Sequence, residues 1–260
     1  MTKIDYAGFE IYEYDLLTIL QSEVLITEVK RKLESGIVLK IKHSINLDVL
    51  QSLRDEILSS INYDRQPHQP KTRNAPNSRQ VHWNYKEQAL SAKFLSWSFY
   101  PWNKNNHNLF ENLNELFVLR NLLVDLPKNY YFSEADENFI PRLAAQFYPS
   151  GEGYMDAHKD PYSQHQFAIP TLLLSEKGKD FCSGGFYVVN KNLEKIYLDQ
   201  ELSFGDLSLF HTSMTHGVEL VDSEVKFDEE SKSGRLMIIG AVNAVSGIEG
   251  FQSEYEDTKL

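Results

Sequence analysis

Gln146-Phe147-Tyr148-Pro149-Ser150-Gly151-Glu152-Gly153, with His158-Lys159-Asp160 a few residues on, is the stretch that decides how this chain is read. Its first part is a strand running into a glycine-bearing turn, Pro149 to Gly153. Its last part sets an imidazole and a carboxylate two residues apart. In extended backbone, residues i and i+2 project from the same face, so His158 and Asp160 can chelate one metal ion together. A third ligand has to come from elsewhere, and His216 in Thr215-His216-Gly217-Val218 is the candidate. Two imidazoles and one carboxylate leave three positions open on one face of an octahedral ion. That arrangement suits non-haem Fe(II), which must take up a co-substrate and dioxygen together.

Around this stretch the chain divides in character near Phe139. Beyond it, short apolar segments recur between Gly, Asp, Asn and Ser: Leu143–Tyr148, Phe167–Leu174, Phe186–Val189, Ile196–Leu198, Leu207–Phe210, Val218–Val221 and Leu236–Val242. Many short strands without helical patterns between them predict a β-sandwich or barrel and argue against a doubly wound α/β fold. Before Phe139 the pattern is mostly helical. Asp15 caps a predicted helix carrying Leu16, Leu20, Val24 and Leu33 and stopping at Gly36. Ile37–Lys42 alternates like a strand, Asn46 caps a second helix with Leu50, Leu53, Ile57 and Ile61 on one stripe, and a third runs from Leu109 to Val124. The expected architecture is therefore mainly β with helical support (α+β): one domain over 1–260, with 1–138 supporting a β core in 139–260.

The 260 residues carry 37 acidic and 26 basic side chains, a formal net charge of −11. That balance argues against general nucleic-acid binding, which needs a cationic face. A single cysteine, Cys182, excludes an internal disulfide and a thiolate-rich zinc site. Met1–Glu10 lacks the apolar core of a signal peptide, and Leu236–Val242 is far too short to cross a bilayer. A cytoplasmic protein with no membrane partner is expected. The oligomeric state is left open.

The order of fragments Gln146–Gly151, His158-Lys159-Asp160, Gly184-Gly185-Phe186, Gly205-Asp206-Leu207, His216-Gly217-Val218 and Gly234-Arg235-Leu236 resembles the Fe(II)- and 2-oxoglutarate-dependent dioxygenases with a double-stranded β-helix (jelly-roll) core. The pattern is closest to the prolyl-hydroxylase-like and phytanoyl-type branches, and it covers about Phe139 to Val245. The resemblance implies that His158, Asp160 and His216 hold Fe(II). It implies that Arg235 binds the distal carboxylate of 2-oxoglutarate through a two-pronged ion pair and that Tyr148 adds a hydrogen bond. It further implies that O2 is the oxidant. Halide-transferring relatives have a small residue where Asp160 stands, so the resemblance implies a hydroxylase, with desaturation or cyclisation as other outcomes of the same chemistry. One departure is the spacing from His216 to Arg235, longer than usual by an acidic insert, Asp222–Ser233, expected as a hairpin loop. Arg142 is the fallback anchor.

Other residues are weighed against plainer roles. Asp156 shares a face with His158 but reads as a solvated or supporting acid, because the open face of the metal must stay open. His211 competes with His216 but lacks the His-Gly-Val context. His165 reads as a loop or supporting histidine, and Cys182 as an inert thiol. Within the irregular stretch Asn62–Asn84, a candidate lid, the segment Lys71–Trp83 reads either as a substrate loop, with Arg73 or Arg79 for a substrate carboxylate and Trp83 for an apolar portion, or as a solvated basic loop with Trp83 in the core. Trp97, Phe99, Tyr100 and Trp102 read as packing. The function expected is hydroxylation of an unactivated C–H in a small molecule, such as a free amino acid or specialised metabolite. The alternatives are a peptidyl, prolyl-type hydroxylase, or a cupin-like metalloprotein that does not use 2-oxoglutarate and leaves Arg235 without a role.

Overall fold

A computed structural model describes residues 4–42, 45–67, 69–83, 90–104, 107–132, 138–160 and 165–245. The helical half begins as the capping signals predict. The Asp15 carboxylate accepts from the Thr18 N–H at 2.8 Å and starts α1 (Leu16–Leu20). The single helix expected as far as Gly36 is in fact two. Ser22 takes up the Leu25 N–H with its hydroxyl and starts α2 (Glu23–Glu34) on a new axis. Val24 is consequently 76% exposed, and the buried stripe is Ile26, Val29 and Leu33. Asn46 caps α3 (Leu47–Ser59), which buries Leu50, Leu53 and Ile57. The third predicted helix is split into α4 (His107–Asn112) and α5 (Asn114–Leu123).

All seven predicted strands form: β5 (Phe139–Pro149), β7 (Ala168–Leu173), β8 (Gly185–Val189), β9 (Lys195–Tyr197), β10 (Leu207–His211), β11 (His216–Glu219) and β12 (Gly234–Ala244). The strand expected at Ile37–Lys42 forms too, as β2 (Ile37–Ile41), and the structure adds β6 (Tyr154–His158) and three strands from the first half, β1 (Gly8–Tyr12), β3 (Ser78–Trp83) and β4 (Ala92–Phe99). The sheet runs β1-β2-β10-β7-β12-β5-β4-β6-β11-β8-β9, with β3 paired to β4. The first half therefore supplies sheet as well as helical support. The long β5–β12 pairing, from Gly234 opposite Pro149 to Ala244 opposite Phe139, is the spine of this curled, jelly-roll sheet.

Helix α5 packs on β7 and β12. Gly240 in β12 permits the approach, since a Cβ there would lie 2.8 Å from the Leu116 Cβ. Leu116, Phe117, Leu119 and Leu123 are fully buried, each worth roughly 1.5–3 kcal/mol of transfer free energy. Trp97, Phe99 and Tyr100 are buried, and Trp102 stacks on Tyr100, the packing role expected of them.

The insert 222–233 is not a hairpin loop. It joins β11, which lies between β6 and β8, to β12, which lies between β5 and β7, so its ends belong to strands that do not pair. Asp222 ties down its start: Oδ1 accepts from the N–H groups of Cys182 (2.7 Å) and Ser183 (2.8 Å), and Oδ2 from the Ser150 hydroxyl (2.6 Å). Farther along, Phe227 packs edge-on against Tyr63.

Candidate metal centre

Strand pairing sets His216, at the start of β11, opposite His158, at the end of β6. A register shift falls between His216 and Val218, and the two imidazole ring centroids lie 4.4 Å apart. Two residues on, Asp160 is fixed by its backbone N–H, which donates to the Thr212 carbonyl at 3.1 Å. One ligand atom from each of His158, Asp160 and His216 lies within 4.8 Å of the other two. Asp160 Oδ2 is 3.2 Å from His216 Nε2, and Oδ1 is 3.9 Å from His158 Nε2.

Both imidazoles are oriented from behind. His158 Nδ1 lies 2.9 Å from the Asp156 carbonyl, and His216 Nδ1 lies 2.9 Å from the Met214 carbonyl. A carbonyl only accepts, so each Nδ1 carries the hydrogen and each Nε2 is the nitrogen turned to the centre, where a metal would displace the proton that His216 Nε2 shares with Asp160. Burial, reinforced by the neighbouring His216, pushes His158 down to about 4, which keeps it neutral. Burial also acts to lower His216, but the Asp160 charge and its hydrogen bond outweigh it and the net shift is upward. Asp160 moves oppositely: burial would raise it, and His216, His158 and Arg120 together hold it low. The donor set is two imidazole nitrogens and an ionised carboxylate, which fits a divalent first-row metal. Asp156 is exposed and acts through its backbone carbonyl. His211 stands apart from the cluster on β10, its Nδ1 accepting from the Ser213 N–H at 3.1 Å.

Residues from β5–β8 and β10–β12 line one cavity of about 130 Å³ that includes the three ligands. Tyr148 is in its wall, its hydroxyl donating to Gln146 Oε1 at 2.8 Å. Arg235 lies directly across the ladder from Tyr148 and alternates onto the same face of β12 as the cavity-lining Met237, Ile239 and Ala241. It is 1% exposed. Its Nε donates to Asp199 Oδ2 at 2.7 Å and its Nη2 to Asp199 Oδ1 at 3.0 Å. Nη1 is buried without a partner, and the guanidinium carbon lies 5.5 Å from the Phe186 ring centroid. One edge of the fork is thus occupied by an internal carboxylate, and the Nη1–Nη2 edge remains to be satisfied.

The residues of the expected substrate loop are elsewhere. Arg79 and Trp83 are on β3; Arg79 donates to the Asp64 carbonyl, while Trp83 packs with Tyr63, Phe227 and the Lys93 ammonium. Arg73 is exposed in the turn before β3. None of the three lines the cavity holding the ligands. Cys182 is exposed, and His165 is buried against Tyr131 and Phe139. Sequence reasoning missed Asp199 and Arg120. Arg120 lines the cavity from α5, and its one signal is a charged residue on the buried stripe of an apolar helix, four after Leu116.

No protein-family model matches the chain, and no curated protein matches it. Solved structures do. A prolyl hydroxylase from Trichoplax adhaerens, in complex with a hypoxia inducible factor oxygen degradation domain peptide fragment, superposes with a TM-score of 0.50 at 11% identity, covering 90% of this chain and 94% of the other. The non-heme alpha ketoglutarate dependent epimerase SnoN from nogalamycin biosynthesis gives 0.50 at 10% identity, covering 85% and 84%. The chain shares its fold with both structures. At such identities the likeness is one of architecture, and one neighbour is called a hydroxylase and the other an epimerase, so architecture does not choose the reaction. No described helix is long and apolar enough to cross a membrane.

Proposed function

We propose that this chain is an Fe(II)- and 2-oxoglutarate-dependent oxygenase that hydroxylates an unactivated C–H bond of a small, amino-acid-like molecule. The observation that carries the reading is the convergence of His158, Asp160 and His216 with both imidazole Nδ1 atoms already engaged by backbone carbonyls. These three residues would hold the ion, and the cavity they line would receive the co-substrate. When bound, iron and 2-oxoglutarate supply the oxidising chemistry, in which dioxygen is divided between succinate and the substrate as carbon dioxide is lost.

The protein's own residues bind and orient. Arg235 is the anchor for the distal carboxylate of 2-oxoglutarate: Asp199 fixes the guanidinium plane, and the unsatisfied Nη1 offers the remaining edge to a second carboxylate. Tyr148, opposite it in register, supplies a hydroxyl in the cavity wall. Apolar side chains such as Ile169, Phe210 and Ile239 keep the space dry. A cupin-like reading without 2-oxoglutarate leaves the open edge of Arg235 unexplained.

The test is anaerobic addition of Fe(II) and then 2-oxoglutarate to the metal-free protein, followed by visible absorbance. A metal-to-ligand charge-transfer band that is absent in His216→Ala is the expected result. Bound iron without a band would rule out the 2-oxoglutarate part, and failure to bind iron would rule out the whole reading.

A further inference from the structure

Two arginines line the cavity, and Arg235 is not among its lining residues. Arg120 reaches it from α5 and Arg142 from β5, in a chain whose net charge is −11. Asp160 is the one carboxylate among the lining residues, and it belongs to the candidate metal set. Arg120 is 5% exposed; its Nη1 and Nη2 donate to the carbonyls of Ala168 (3.2 Å) and His165 (3.1 Å), and its Nε is buried without a partner. Arg142 is half-buried, with Nε donating to Asn243 Oδ1 at 2.9 Å and Nη1 to the Ser98 hydroxyl at 2.8 Å. Among the described residues neither guanidinium forms an ion pair with a carboxylate. Neutral acceptors hold both groups in place; the Asp160 charge favours the Arg120 cation without pairing with it, while Arg142 is met by neutral acceptors alone, an arrangement that costs desolvation energy unless an anion arrives.

Position separates this feature from the co-substrate anchor. Arg142 lies opposite Ala241 in the β5–β12 ladder, whereas Arg235 lies opposite Tyr148, six residues away along β12. At about 3.4 Å per residue the two backbones are roughly 20 Å apart along the strand. One small dicarboxylate does not satisfy both. The cavity is also small beside the roughly 300–1,000 Å³ of sites for drug-sized ligands.

We infer that Arg142 is the anchor for a carboxylate of the primary substrate, with Arg120 as a fixed positive charge in the same wall, so that the enzyme takes a small free carboxylic acid. This rests on the oxygenase reading for what happens to the substrate, but the anion site itself is independent of turnover. Nη2 of Arg142 is the uncommitted donor; Asn243 and Ser98 hold the plane so that a carboxylate is met in a fixed orientation. This takes over the role expected of Arg73 and Arg79.

The test is calorimetric titration of the zinc-loaded full chain with L-leucine, L-phenylalanine and L-proline, with their carboxamides, and separately with 2-oxoglutarate. At least one free acid binds, its carboxamide binds ten- to a hundredfold more weakly, and Arg142→Met reduces acid affinity by a similar factor, the effect of losing a charge-assisted hydrogen-bonded anchor of about 1.5–3 kcal/mol. Arg142→Lys, which keeps the charge and guards against a folding failure in the first variant, falls between. Affinity for 2-oxoglutarate stays within a factor of about two of the unmodified protein in both variants. Equal affinity for acids and carboxamides, or no binding by any acid, overturns the inference. A tenfold loss of 2-oxoglutarate affinity in Arg142→Met also overturns it, because Arg142 would then serve the co-substrate. If acids bind through Arg142 while 2-oxoglutarate binds neither protein, the oxygenase reading fails and the anion site stands.

Discussion

Asp199 grips Arg235 through two parallel hydrogen bonds, 2.7 and 3.0 Å long, with both side chains 1% exposed and 36 residues apart in sequence. The same carboxylate accepts the Phe186 N–H at 2.7 Å, so it ties the start of β12 to the start of β8 as well as orienting the guanidinium. Removing either partner strands a buried charge. Arg235→Ala and Asp199→Ala should each lower unfolding free energy by about 3–5 kcal/mol, whereas Arg235→Met with Asp199→Leu should cost much less than the sum. Urea denaturation of the four proteins closes the cycle; additive losses would mean that the pair does not act as a unit. A corollary is that loss of 2-oxoglutarate binding in Arg235→Ala has to be read with a folding control.

The candidate metal centre makes a prediction about stability that needs no substrate. A ligand set assembled only in the folded chain couples metal binding to folding, by about 2.7 kcal/mol at a hundredfold excess over the dissociation constant. Adding Fe(II) anaerobically, or Zn(II) in air, should raise the thermal midpoint by several degrees, and a chelator should reverse it. The gain should vanish in His158→Ala and His216→Ala. A midpoint that rises equally in those variants would place the binding elsewhere.

Seven strands of the second half were legible because each is a short apolar run between turn residues, and the candidate ligands because His158-Lys159-Asp160 follows a strand and a glycine-bearing turn and His216-Gly217-Val218 opens another apolar run; β6 itself, exposed at Asp156 and Ala157, carries no such signal. β3 and β4 were not legible. Ser78–Trp83 is polar along most of its length, having one side of its ladder on β4 and only Val81 buried. The split between α1 and α2 rests on one serine hydroxyl within a continuous apolar pattern. The Asp199 partnership lay beyond reach for a different reason: nothing local marks an aspartate whose counterpart arrives from a distant strand. Arg142 was in view only as a substitute for Arg235, because sequence order says nothing of the six ladder positions that separate them.

Gly217 follows His216, and its α-carbon has no room for a side chain. A Cβ would lie 2.5 Å from the Tyr187 hydroxyl and 2.8 Å from the Met155 carbonyl. The hydroxyl moves only with its buried ring, whose Cζ would lie 2.7 Å away, and the carbonyl belongs to the backbone of β6, the strand that carries His158. Gly217→Ala should therefore destabilise the fold by about 1–3 kcal/mol and weaken metal affinity severalfold by displacing one imidazole from the other. Tyr187→Leu in the same chain, which removes both ring contacts, should restore part of the stability. Unchanged metal affinity in Gly217→Ala, measured by titration with Zn(II), would show that β11 shifts without moving His216.

His211 supplies a pH signature distinct from that of the ligands. Its ring is 4% exposed, edge-on to Phe167 at 4.8 Å, and its Nδ1 accepts the Ser213 N–H, a bond that protonation of that nitrogen would destroy. Burial pushes its pKa down to about 4. The unfolded chain, with an ordinary imidazole near 6.5, binds the proton first, so between pH 6.5 and 4 the unfolded state holds more protons than the folded one. Stability from this residue is then level above pH 6.5 and falls as the pH drops toward 4, by up to roughly 3 kcal/mol. His211→Asn removes the titration while keeping an oxygen acceptor for the Ser213 N–H. The unmodified protein should lose stability more steeply than His211→Asn over that interval, measured by urea denaturation at fixed pH values with chelator present. His158 titrates in both proteins and cancels from the difference, so parallel curves would mean that the His211 ring is open to solvent protons in the folded state.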